Sequence, residues 1–275
     1  MTGLRHDPRK LCNACFSLAK RWWGAALFFK ACVILVSAVV IWFSVLSKAS
    51  PFLALSLALA SEWFAWRSDR AKSIAETLLR KLDYRDAFGW EISKSKLSDV
   101  LARSGGKLRK RIPPEDHREN YFASSESVGL VRALQNLQES AWWSKHLAEK
   151  MGRYTLAGTI VATLGSLLIL VTTVGTLQSF EVRASVGRVV TAVLMLAVSL
   201  GLVRLTLGYY DFSPRAHRTE ERATEFLKGG CTEIDAIKLY NDYHLDRAVA
   251  PLVPDRVWKW NRDQLNELWD NYRAT

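Results

Sequence analysis

The residue types that do chemistry are present in this chain, but they are scattered. The five histidines (His6, His117, His146, His217 and His244) fall in no metal-ligand spacing. Cys12-x-x-Cys15 is a lone pair with no second pair at zinc spacing, and Cys32 and Cys231 stand apart. That pattern makes no disulfide framework, and it favours ordinary cytosolic thiols over a metal or redox pair. "PEDHRE" (Pro114–Glu119) sets acid and base groups side by side, which a solvated charged loop explains better than catalysis. Gly105–Gly106 lacks the strand and helix that a phosphate-cradling loop needs. The sequence therefore predicts a protein that is not an enzyme and holds neither metal nor cofactor.

Charges inside apolar blocks are more informative. Lys30 lies about four residues inside the start of one such block. Glu62 and Arg204 lie about four and five residues before the ends of two others. If the blocks cross a membrane in alternating directions, all three charges sit at similar depth near the cytoplasmic face. They form either a structural ion pair joining the spans or the charged inner mouth of a pore. Lys30, Ser37 and Ser44 recur every seven residues, and Thr159, Thr163, Ser166 and Thr173 make a second polar face. Such faces are either packing seams, since a hydroxyl can bond the carbonyl four residues back, or water-lined walls.

For an anionic ligand the sequence offers Lys107, Arg109, Lys110 and Arg111 in "GKLRKR". Arg80, Lys81, Arg85 and Trp90 form a second basic–aromatic group, and Trp142, Trp143 and Lys145 a third. Arginine and lysine grip phosphate while aromatic rings stack on bases. Juxtamembrane basic clusters also bind anionic lipid.

These residues need elements to hold them. Across 275 residues, 38 Lys+Arg against 27 Asp+Glu leave a net charge of +11, yet the apolar residues concentrate in two pairs of blocks. The first pair is Leu27–Ser47 and Pro51–Trp66, joined by "SKAS". The second is Tyr154–Leu177 and Val186–Tyr210. About 20 apolar residues cross roughly 30 Å of hydrocarbon as a helix. The first block is too long, and too closely followed by the second, for a cleaved signal peptide. Trp63, Phe64 and Trp66 make an aromatic belt. Eighteen basic residues lie in 67–153 and ten after Tyr210, against one and two in the turns. Both termini and the central segment are thus expected in the cytoplasm. Between and after the blocks the apolar periodicity is helical. The expected fold is an all-α polytopic membrane protein: two transmembrane hairpins, four spans in all, plus a helical cytoplasmic layer. Its parts are an N-terminal helix (1–26), hairpin one (27–66), a helical insert (67–153), hairpin two (154–210) and a helical tail (211–275).

The tail carries three tryptophans, in "APLVPDRVWKWNRDQLNELWDNYRAT". Pro251 and Pro254 turn the chain, and Asp255 sits where an N-cap starts a final helix. Val257, Leu265, Leu268 and Trp269 are expected to be buried, with Trp258 a further candidate. Arg256, Arg262 and Asp263 are placed to tie the helix to neighbours. The reading is a clasp docked on the cytoplasmic layer or on an adjoining subunit.

Three stretches resemble the SMODS-associated four-transmembrane effectors, bacterial antiphage proteins of the CBASS system. They are "LDYRDAFGW" (Leu82–Trp90), "NYFASSESVGLVRALQNLQESAWW" (Asn120–Trp143) and "APLVPDRVWKWNRDQLNELW" (Ala250–Trp269). The resemblance implies a homo-oligomeric, pore-forming protein of the bacterial inner membrane that does not act on DNA or RNA. It implies an activating ligand as well, a cyclic di- or oligonucleotide from a neighbouring nucleotidyltransferase, whose binding makes the membrane leaky in abortive infection. A non-conducting membrane scaffold or sensor that recruits a cytoplasmic partner is the alternative.

Overall fold

The computed structural model describes residues 7–42, 49–104, 121–176 and 201–274. Among them the regular structure is all helical, so the chain is all-α. The helices are α1 (Pro8–Trp42), α2 (Ser50–Phe88), α3 (Lys94–Ser104), α4 (Leu130–Thr176), α5 (Leu202–Gly229), α6 (Glu233–Val249) and α7 (Asp255–Ala274). The 105–120 stretch, with Lys107, Arg109, Lys110, Arg111 and the PEDHRE cluster, lies outside the described residues.

Local chemistry sets the helix ends. α2 stops at Gly89, whose φ of 74° is left-handed and whose N–H closes on the Arg85 carbonyl at 2.9 Å. A Cβ at Gly89 would also meet Val128 Cγ1 at 3.0 Å, a tight approach that adds to the backbone strain of a side chain there. α6 starts behind Thr232, an extended residue whose hydroxyl accepts from the Asp235 N–H, with Glu233 and Asp235 in the first turn. Those carboxylates face the positive end of the helix dipole.

By contacts the chain divides into two units, residues 1–20, 69–149 and 209–275 in one and 21–68 and 150–208 in the other. The first has an ordinary apolar interior. Leu11, Cys12 and Cys15 of α1 pack with Ala75, Leu78, Leu79 and Leu82 of α2 and with Leu97 and Val100 of α3. The Cys12 thiol donates to the Ala75 carbonyl at 3.4 Å. Burial raises the Cys15 thiol to about 11 and Cys12 further still, so both are packed, unreactive thiols.

The second unit is arranged the other way round. Ser61 and Ser68 of α2 and Thr206 of α5 are buried, and the Ser61 hydroxyl donates to the Ala26 carbonyl at 3.0 Å. Large apolar side chains point outward instead, among them Phe52 (74 % exposed), Val161 (71 %), Phe28 and Leu168. Trp22 stacks on Phe64 with ring centres 5.3 Å apart, and Arg67 lies over Trp22 and Trp63 at 5.6 and 5.5 Å. Among the described residues no helix is long and apolar enough to cross a membrane. The apolar blocks run in part through residues outside that set.

The intramembrane candidates separate here. Lys30 Nζ lies 3.6 Å from Glu62 Oε1, an ion pair joining α1 to α2, while Arg204 is exposed on α5. The Thr159 and Thr163 hydroxyls donate to the carbonyls of Thr155 and Thr159, at 2.8 and 2.9 Å. Those two hydroxyls are occupied by their own helix. The side chains of Ser37, Ser44, Ser166 and Thr173 lie outside the described residues.

Candidate functional site

The first unit carries a web of charges between α1, α2 and α6. Arg9 of α1 reaches two α2 carboxylates, Asp83 at 3.5 Å and Asp86, and its guanidinium lies 4.0 Å over the Tyr121 ring. Arg247 of α6 faces Glu76 of α2 at 3.8 Å. His244, one turn earlier on α6, approaches Asp83 Oδ2 at 3.8 Å. Burial pushes the Asp83 carboxyl up to about 6, against the pull of Arg9 and Arg247. Burial, with Arg247 and Arg80 adding to it, lowers the His244 imidazole to about 3. At neutral pH His244 is therefore neutral, and Asp83 relies on Arg9 and Arg247 for compensation. Burial also raises Glu76, opposed by Arg247 and Lys72.

Two cavities flank this web. The smaller, about 380 Å³, lies between α2 (Lys72, Glu76 and Arg80) and α6 (His244, Leu245 and Ala248). The larger, about 860 Å³, is bounded by Phe16 and Lys20 of α1, Lys72 and Glu76 of α2, and Tyr121. α4 contributes Glu139 and Trp143, α5 Tyr209 and Phe212, and α6 Arg247. Its remaining wall is the tail, through Pro251, Asp255, Trp258, Trp269 and Asp270.

Side-chain bonds hold the tail in place. Lys72 Nζ donates to the carbonyls of Ala248 and Ala250, at 2.7 and 2.5 Å, where α6 ends. The Tyr209 hydroxyl donates to the Leu252 carbonyl at 2.6 Å. Pro254 supplies the carbonyl that receives the first N–H groups of α7, from Val257 and Trp258. Asp255, expected at the N-cap, is instead the first residue of that helix, behind Pro254, and pairs with Lys20. α7 then lays Leu265 and Trp269 against Trp142 of α4, with Trp143, Leu147 and Tyr272 packed around them. Val257, Asn261, Leu265 and Trp269 form one buried stripe at four-residue spacing. Leu268, expected from the sequence to be buried, lies off this stripe and is exposed, as is the further candidate Trp258. Arg262 sits over the Trp258 ring at 5.3 Å.

The ligand candidates read from the sequence are dispersed. Trp143 lines the larger cavity and Arg80 the smaller. Trp142 is interior, Lys145 pairs with Glu220, Arg85 pairs with Asp86, and Trp90 stacks on Tyr84 at 5.1 Å. Lys81 is half-buried on α2. Sequence reasoning passed over Lys20, Lys72, Glu76, Tyr121 and Arg247, which do line the larger cavity. One signal was available: Lys72 and Glu76 are four apart, on a helix whose neighbouring Ala71, Ala75 and Leu79 are buried.

Compared with models of known families, with curated proteins and with solved structures, the chain matches none of them.

Proposed function

We propose that this chain is a non-enzymatic, multi-pass effector of the bacterial inner membrane. It oligomerises or opens when a cyclic nucleotide binds its cytoplasmic layer, and the membrane becomes leaky. One observation carries the reading. Among the described residues, each helix that holds part of an apolar block also lines the larger cavity, through Lys20 of α1, Lys72 of α2, Trp143 of α4 and Phe212 of α5. A ligand bound there touches all four helices at once, so a difference in its affinity between two arrangements can bias them together. The reversed burial of the described residues in the second unit supports a lipid environment, because exposed apolar surface of that extent is rare on water-facing monomers. The membrane part is then two hairpins of four spans, with both termini in the cytoplasm. The resemblance of three stretches to the four-transmembrane effectors supplies the class of ligand.

The test is dye-loaded liposomes holding the purified protein, with and without cyclic nucleotides. Release on adding a nucleotide is expected. Folded protein that keeps the dye enclosed with every nucleotide would sink the reading. A second reading, a non-conducting scaffold, is favoured by one feature of α6. Ile234, Leu245 and Val249 share a face of that helix and are exposed, which suits a soluble partner.

A further inference from the structure

We propose that the larger cavity is the binding site for a ligand joining a heteroaromatic ring to a phosphate, and that this phosphate draws Lys20 away from Asp255. The inference rests on the functional reading above and gives its ligand a place and a first mechanical step.

Size admits such a molecule, since about 860 Å³ lies within the range of small-molecule sites, roughly 300–1,000 Å³. The chemistry of the wall narrows the class. Trp143, Trp258 and Trp269 come from two helices and offer faces or edges to a planar ring. Trp269 is 6 % exposed, and its indole N–H is buried with no hydrogen-bond partner among the described residues. A buried donor without an acceptor is costly, and a ring nitrogen or carbonyl of a ligand relieves it.

The wall carries both signs. Lys20, Lys72 and Arg247 come from α1, α2 and α6, Glu139, Asp255 and Asp270 come from α4 and α7, and Glu76 comes from α2, where it faces Arg247 at 3.8 Å. A ligand with an anionic group and an amino-bearing base matches both sets, phosphate on the cations and exocyclic amine on the carboxylates. The ammonium of Lys72 is held by two backbone carbonyls. Glu76 and Asp69 act on this cation through space, and a phosphate would add a direct anionic partner.

Lys20 makes the site a switch. Its partner Asp255 is half-exposed, and pairs of that kind are weak enough to exchange for a phosphate. Asp255 begins the helix whose Leu265 and Trp269 dock on Trp142. Trp269 belongs both to that docking stripe and to the cavity wall. Occupancy therefore acts on the clasp at two points, its first residue and its buried anchor.

The experiment measures binding to the full chain in detergent by calorimetry. The probes are cyclic di-AMP, cyclic di-GMP and cyclic AMP-GMP, with pyrophosphate and phosphatidylglycerol vesicles alongside. At least one nucleotide is expected to bind. Lys20→Ala and Trp258→Ala should each weaken it, by roughly tenfold. Asp255→Asn, which frees Lys20, should tighten it by about two- to fivefold. Both charge variants break the same ion pair, so opposite signs cannot arise from its structural loss. The proposal falls if no nucleotide binds the folded chain, or if binding is unchanged in Lys20→Ala and Trp258→Ala. It falls equally if the vesicles or pyrophosphate bind as well as the nucleotides, which would make the ligand a lipid headgroup or a bare phosphate. Dye release separates the two readings. Nucleotide-triggered leakage that ignores these variants keeps the pore and removes this site. Binding here without leakage keeps the site and removes the pore.

Discussion

Asp83 and His244 are 3.8 Å apart, and burial shifts them in opposite directions. An aspartate raised to about 6 holds its proton longer folded than unfolded, so its contribution to stability falls as pH rises from about 4 to about 6. A histidine lowered to about 3 refuses its proton when folded, so its contribution rises with pH between about 3 and 6.5. Over the shared window the two slopes cancel. Asp83→Asn should remove one of them, since Asp83 is not among the causes of the His244 shift. Unfolding midpoints of that variant in detergent should then climb from pH 4 to 6, with a slope of up to about 1.4 kcal/mol per unit. A slope equal to the wild-type one would show that the pair is not balanced in this way. Arg9→Ala is a harsher change, because it leaves Asp83 and Asp86 without their shared guanidinium. A loss of roughly 3–5 kcal/mol is expected, much of it recovered in Arg9→Met/Asp83→Asn.

At the scale of elements, α7 is held by its stripe rather than by its aromatic count. Leu265→Ala should destabilise by about 2–5 kcal/mol and Trp269→Ala by about 3–5. Trp260→Ala, at a position 76 % exposed, should change little. Denaturant titration of the three variants checks this ranking, and equal effects would mean that the stripe is misassigned. Removal of 250–275 should abolish folding or ligand response. Much of this helix could be read beforehand, because Pro254 and Asp255 mark its start and the four-residue spacing marks its face. Hydropathy does not place Leu268, because it says only that a residue tends to be buried. Leu268 is three residues past Leu265 and one before Trp269, and the helix turns it outward.

For the whole molecule, the helical class was legible from periodicity, and the chain passes between its two units near Lys20, Ser68, Glu149 and Gly208, close to where its hydropathy changes. The cavity was not legible. Its cations come from positions as far apart as Lys20 and Arg247, and only packing brings distant residues to one wall. Basic residues beside aromatic ones are only a local signal, and Lys145, close to Trp142 and Trp143 in sequence, shows its limit: Glu220, far along the sequence, pairs with it. Two measurements test the proposed membrane reading. The chain should stay with the membrane pellet after carbonate washing, and release into the supernatant would count against four spans. Lys30→Glu and Glu62→Lys should each lower thermal stability, with the double swap restoring part of it, because the pair joins α1 to α2. Failure of the swap to restore anything would return the pore-mouth reading of these charges.

Lys72 and Glu76 line both cavities, so a single turn of α2 is the partition between two chambers. Trimming both to alanine should open one room into the other. A molecule too long for either would then find a berth, and the protein's choice of guest would be set by how that narrow wall is furnished.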